Sequence, residues 1–206
     1  IPEKLKPLEE LSRNLWWSWT QDAIDLFASI DPKLWLQVGE NPVELLERLH
    51  YDILLGLEKN EDFKARLDAV YTDFQAYMNE PPKAELPTIT YFSMEYGIHN
   101  SLKTFSGGLG LLAGDFLKEA SDYNIPMTGV GLLYKYGYFR QVISAGGEQV
   151  ALSDAQDFSR LPVTPVRDKD GNWKDVRIVL PGRTLSARLW KVQVGRIPLY
   201  LLDADY

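Results

Sequence analysis

The sequence predicts an α/β protein: an all-helical first 80 residues, then a parallel, Rossmann-like sheet that passes into antiparallel strands. Three observations carry this. Apolar residues up to Met78 recur three and four apart, the helical period. A proline-rich break, Asn79-Glu-Pro-Pro-Lys-Ala-Glu-Leu-Pro87, ends that pattern. After it, a β-branched and aromatic run, a glycine turn, a helical stretch and a second apolar run form a βαβ unit.

Taken in order, Leu5, Leu8, Leu11, Leu15, Trp16 and Trp19 form one apolar helical stripe. Asp31-Pro32 and Asn41-Pro42 are capping residues followed by proline in the first turn, and they start helices over 33–38 and 43–57, with Gly39 as a stop between them. A longer helix over 61–78 carries Phe63, Leu67, Val70, Phe74 and Tyr77 on one face. Trp16, Trp17 and Trp19 read as a packing wedge. His50 has no partner at metal-ligand spacing and reads as a structural or surface histidine. Three domains' worth of boundaries follow: a helical unit over 1–80, a linker over 81–87 and an α/β unit over 88–206.

Beyond the linker, 88–93 reads as a buried strand, 109–123 as a helix stopped by Asn124-Ile-Pro126, and 127–133 as a second strand. A hairpin is expected over 138–143 and 149–152 around Gly146-Gly147. Asp168-Lys-Asp-Gly171 turns between 163–166 and 173–180, and 184–194 with 197–202 complete an antiparallel insertion. The chain then halts at Asp203-Ala-Asp-Tyr206 with no closing helix, so a longer protein is expected.

Composition excludes several functions. A net charge of −7 opposes a nucleic-acid surface, which needs a clustered basic face. The absence of cysteine excludes a disulfide scaffold and a thiolate metal site, and no metal-ligating cluster is expected. No apolar run approaches the ~20 residues of a membrane span, and Ile1-Pro-Glu-Lys4 lacks the pattern of a signal peptide. A soluble, cytoplasmic protein is the expectation. The many Trp and Tyr residues fill cores, but such rings also cover the apolar faces of sugars.

The stretch Phe105-Ser-Gly-Gly-Leu-Gly-Leu-Leu-Ala-Gly-Asp115 opens the central helix. A glycine turn there aims several backbone N–H groups and the helix dipole at one point, which suits an anion, most often a phosphate. Gly108, Gly110 and Ala113 formally fit a dinucleotide fingerprint, but they follow Ser93 by about a dozen residues and lack the acidic residue for a ribose. No Gly-Lys-Ser/Thr follows, so a P-loop is excluded. Taken alone, the glycines would serve close packing as readily as binding.

Three blocks decide between these readings: Tyr91-Phe-Ser-Met-Glu-Tyr-Gly-Ile-His99, Ser106-Gly-Gly-Leu-Gly-Leu-Leu-Ala-Gly-Asp115, and Gly129-Val-Gly-Leu-Leu-Tyr134 with Gly137-Tyr-Phe-Arg-Gln141. Together they closely resemble the α-glucan (glycogen or maltodextrin) phosphorylase family, in its bacterial branch with a helical preface. The resemblance implies the N-terminal part of a two-domain GT-B glycosyltransferase that phosphorolyses α-1,4-glucan to α-glucose 1-phosphate with retention. It implies pyridoxal phosphate, whose phosphate acts as proton relay, on a lysine of the C-terminal domain, with none bound to this chain. It also implies α-1,4-glucan, inorganic phosphate and that C-terminal domain as partners. This chain alone is then expected to be inactive, with no catalytic acid or base of its own. Homo-oligomerisation and allosteric control stay open.

By the same resemblance, Gly107, Gly108, Leu109 and Gly110 match the family's glycine loop, the N–H at Gly108 facing phosphate and that at Leu109 facing the glucosyl unit. Glu95 is expected as a buried acceptor orienting the loop, and Tyr96 as the tyrosine beside the cofactor. Long-form enzymes carry an extra aromatic before that tyrosine, and an arginine where Leu111 stands here. Asp115 either ties down the turn or, with Glu119, lies on the helix surface. His99, Tyr134, Tyr136 and Arg140 are candidates for lining the cleft.

Two rivals are weighed. ADP-glucose-dependent glycogen or starch synthases share the fold and the loop, but place a lysine two or three residues before the first glycine; here Thr104-Phe105-Ser106 stands there, with Lys103 further back. They also begin at their first strand, without a helical preface. The other rival is a non-catalytic carbohydrate-binding or assembly module.

Overall fold

The computed structural model describes residues 1–81 and 86–205. Most of the expected linker over 81–87 lies outside the described residues, as does Tyr206.

The first 80 residues fold into short helices wound around buried leucines. A 3-10 turn, Glu3–Leu5, leads into α1 (Pro7–Arg13), and a second 3-10 turn, Leu15–Trp19, leads into α2 (Gln21–Ile30). The predicted single stripe therefore breaks at Asn14, which is extended at φ −104°, ψ 115°. The cause is polar. Asn14 Oδ1 accepts the N–H of Trp16 at 3.0 Å and that of Gly195 at 2.8 Å, and Nδ2 donates to the Gly195 carbonyl at 3.0 Å.

Helix α3 (Pro32–Gln37) starts as predicted, with Asp31 accepting the Leu34 N–H at 2.9 Å, and α4 (Pro42–Arg48) starts on Asn41. The predicted helix over 43–57 is two helices, because Leu49 and His50 are extended before α5 (Tyr51–Lys59). This break lets Leu49 and Leu54 both enter the core. His50 stays exposed, 3.2 Å from Asp52. Helix α6 (Glu61–Asn79) buries Phe63, Leu67, Val70 and Phe74, the face the period marks.

From residue 86 onward come β1 (Ile89–Phe92), α7 (Gly108–Asp122) and β2 (Met127–Leu132), with β1 and β2 parallel and Ile89 opposite Met127. Then follow β3 (Arg140–Ile143) and β4 (Gln149–Leu152), β5 (Val163–Pro165), β6 (Asp175–Leu180), β7 (Arg183–Val194) and β8 (Ile197–Asp203). The six-stranded sheet runs β1-β2-β8-β7-β5, with β6 also on β7. The last strands are not a separate insertion: β8 lies parallel against β2, Gly129 opposite Leu199, and antiparallel to β7. Its residues are buried or half-buried throughout, as a central strand covered on both faces requires. Among the described residues, only β3 and β4 stand apart, as a two-stranded sheet of their own.

Helices and sheet share one core. Leu117 of α7 lies over Gly129, where a Cβ would sit 3.2 Å from its Cδ1. Arg196, in the β7–β8 turn and 7% exposed, fastens the end of α6 to that of α7: Nε donates to Tyr77 O at 2.7 Å, Nη1 to Ser121 O at 2.6 Å and Nη2 to Glu80 at 2.8 Å. Its guanidinium also lies 3.7 Å from the Tyr77 ring centre, a cation–π contact.

Candidate functional site

The glycine turn sits beyond the carboxyl end of β1, where ligands of open α/β sheets bind. A doubled-back loop positions it. Tyr96 N–H donates to Thr104 O at 3.3 Å and Thr104 Oγ1 donates to Tyr96 O at 2.9 Å, so 96 and 104 run side by side. Glu95 then reaches the turn: Oε1 accepts Ser106 Oγ–H at 3.1 Å and Oε2 accepts Ser106 N–H at 3.4 Å. Gly97 N–H donates to Gly110 O at 2.7 Å, laying the loop under the first turn of α7.

The glycines divide into two kinds. A Cβ at Gly110 would stand 2.6 Å from Phe105 Cβ and 3.0 Å from Glu95 Oε2, and one at Gly114 would stand 2.5 Å from the Gly97 carbonyl carbon. Those two let the helix lie on the loop. Gly107 and Gly108 are different. Neither has a positive φ, and nothing lies within 4 Å of where a Cβ would be. The chain's own fold would accept a side chain at both.

No side chain caps α7, so the N–H groups of its first turn, Gly108 and Leu109 among them, have no intrahelical partner. They carry the positive end of a 15-residue helix dipole. A cavity of about 500 Å³ opens beside Gly107, bordered also by Asn100, Lys103, Ser106 and Tyr138. These four are brought to the turn by the folded loop and the segment after β2. Lys103 was visible in sequence only as a lysine too far from the glycines; its place depends on the doubling back.

The other sequence-derived residues fall as follows. Glu95 is half-buried on the turn. Tyr96 is 0% exposed, its hydroxyl donating to Tyr91 O at 2.8 Å and Val130 O at 3.0 Å, and burial pushes its pKa up to about 12. Asp115 is exposed, and among the described residues no hydrogen bond joins it to the turn; it shares the helix surface with Lys118 and Glu119. His99 packs on Trp17, ring centres 4.6 Å apart, and its Nδ1 accepts the Ser101 N–H at 3.1 Å. Burial, with Lys118 adding to it, lowers its pKa to about 4, so it is a neutral contact between preface and loop. Tyr134 donates to Met94 O at 3.1 Å, close behind the turn, and burial and then Glu95 raise its pKa. Tyr136 is exposed under Lys135. Arg140 sits outside the turn cavity, 3.5 Å from Asp154. Among the described residues no group of acidic or histidine side chains is set to hold a metal.

Fold and site together define an α/β chain whose sheet carries an open, uncapped helix start suited to an anion. Comparison with known proteins gives the family. A model described as a protein of unknown function (DUF3417) matches residues 1–102, and one described as carbohydrate phosphorylase matches residues 100–168. A glycogen phosphorylase of Mycobacterium tuberculosis is 42% identical over 100% of this chain, and one of Aquifex aeolicus is 42% identical over 98%. A maltodextrin phosphorylase of Thermococcus litoralis is 41% identical, again over 100%. The chain belongs to the α-glucan phosphorylase family, and it spans 25–30% of the length of these relatives, their N-terminal part.

Proposed function

We propose that the chain is the sugar- and phosphate-facing N-terminal part of a GT-B α-glucan phosphorylase, which cleaves α-1,4-glucan with phosphate to α-glucose 1-phosphate. The observation that carries this is the bare pair Gly107–Gly108 at the head of α7, glycine where neither backbone angle nor space asks for it. The names of the relatives, glycogen and maltodextrin phosphorylases, supply the substrate class.

Phosphorolysis with retention gathers positive charge on the sugar carbon and moves negative charge among phosphate oxygens. The head of α7 answers the second need. Its N–H groups are fixed before the substrate arrives, so they stabilise shifting charge without reorganising. In this reading the Gly108 N–H donates to a phosphate oxygen and the Leu109 N–H to the glucosyl unit. Glu95, through Ser106, and Gly97, through the Gly110 carbonyl, hold the turn at one depth. Both Glu95 oxygens are occupied with Ser106, which suits an orienting role and not that of a proton donor.

Pyridoxal phosphate, which the family resemblance implies, supplies a phosphate group as proton relay when bound. The burial of Tyr96, its hydroxyl on two strand carbonyls, favours a cradle outside this chain. In this reading the cofactor belongs to the remainder of the protein. Residues 1–80 form a helical unit, 81–87 a linker and 88–206 the first part of the sugar-phosphate domain, working in the cytoplasm.

With the full-length protein, maltodextrin plus phosphate should yield glucose 1-phosphate. A strict requirement for ADP-glucose would overturn the reading in favour of a synthase. The 206 residues alone should show no turnover; phosphorolysis by them would overturn the need for the remainder.

A further inference from the structure

The cavity at the glycine turn continues. A second cavity, about 540 Å³, abuts it and shares Asn100, Lys103 and Tyr138 with it. Its far wall belongs to the helical preface, from Gln37 at the end of α3 to Glu44 on α4. Both volumes are of the size that ligand clefts show. We propose that the two form one groove, and that the preface thereby supplies a distal binding site for the α-1,4-glucan chain. The inference rests on reading the turn as the sugar–phosphate edge: the end to be cleaved lies at Gly108, and the rest of the chain leaves past Tyr138 toward Gln37.

The chemistry of the walls selects a neutral polyhydroxyl ligand. Arg140 Nε lies 3.5 Å from Asp154, and Arg160 lies 3.2 Å from Glu47, 3.6 Å from Asp157 and 3.8 Å from Glu44. These guanidinium groups are already balanced, so an anion entering here would meet carboxylates as often as cations. Sugar hydroxyls, which both donate and accept, can use the N–H groups and lone pairs that such pairs leave over. Tyr138 stands in the wall common to both cavities and is 64% exposed, its ring 4.7 Å from that of Phe139. A flat apolar ring with a polar tip, held open in a polar groove, fits the face of a pyranose.

The test is chain-length dependence in the full-length protein. In Tyr138→Ala, whose ring both cavities share, the KM for maltodextrins should rise about tenfold whatever their length, the pattern of lost uniform binding. Gln37→Ala, further along, should raise KM for long chains only. Unchanged long-chain KM in both variants would overturn the groove while leaving phosphorolysis standing. If the parent does not phosphorolyse, the reading of the turn fails separately. Calorimetric titration with maltoheptaose still tests the groove: about tenfold weaker binding in Tyr138→Ala supports it, and equal affinity overturns it.

Discussion

Gly108→Ala separates what the fold needs from what the ligand needs. The new Cβ would have nothing of this chain within 4 Å. Alanine is also the better helix residue, by about 0.5–1 kcal/mol relative to glycine in a helix interior. Thermal or urea unfolding of the variant should therefore match or slightly exceed the parent. Activity should move the other way. If the Gly108 N–H contacts the transferring phosphate, a methyl group at its base blocks the approach. Removing a fixed donor of this kind costs about 10²–10³ in rate, roughly 3–4 kcal/mol. The assay is phosphorolysis of maltodextrin by the full-length protein at saturating glucan, with phosphate varied. Gly110→Ala is the contrast: its Cβ would press on Phe105 at 2.6 Å, so stability should fall by about 1–3 kcal/mol. A folded Gly108→Ala enzyme within about threefold of parental activity would refute the assignment.

Two more predictions concern the join between preface and sheet. Asn14→Ala removes both hydrogen bonds to Gly195 and leaves that residue's buried N–H unpaired, while its carbonyl keeps the Gln193 Nε2 donor at 3.0 Å, so stability should fall by about 1–2 kcal/mol; an unchanged urea midpoint would contradict the structural role. For His99, burial lowers the pKa from 6.5 to about 4, so the unfolded chain takes up a proton first as pH falls. Its contribution is whole above about pH 6.5 and is lost down to about pH 4. At about 1.4 kcal/mol per pH unit, that loss is at most about 3 kcal/mol, nearer 2 after allowing for solvent at the ring's exposed edge. His99→Phe keeps a ring against Trp17 and cannot titrate, so that share of the pH slope should vanish from urea unfolding curves.

What was legible in the sequence was local. The caps at Asp31 and Asn41, the apolar face of α6, the β1–α7–β2 unit and the glycine turn all rest on residues near one another in the chain. What was not legible depended on distant partners. Asn14 breaks the leucine stripe because of Gly195, and no pattern around residue 14 announces that. β8 looked like part of an antiparallel insertion because its hairpin with β7 is local, whereas its parallel pairing with β2 spans the whole segment after Tyr134. At the site, the turn was readable from its glycines, whereas Glu95 stood out only through the family resemblance. The loop turns the Tyr96 side chain inward between β1 and β2, and the motif does not show which way it points.

The clasp between Asn14 and Gly195 also sets an order of events on the ribosome. Its partners are 181 residues apart, and Arg196 closes over Tyr77 and Ser121 from the same turn. The helices over 1–80 are made before the β7–β8 turn, so these hydrogen bonds wait for it. At about 5–20 residues per second, that wait lasts about 10–40 s, during which α6 and the tryptophans of the second 3-10 turn lack their final cover. A nascent chain arrested shortly before residue 195 should thus be open to protease in its earliest-made helices, and one arrested well beyond β8 should be closed.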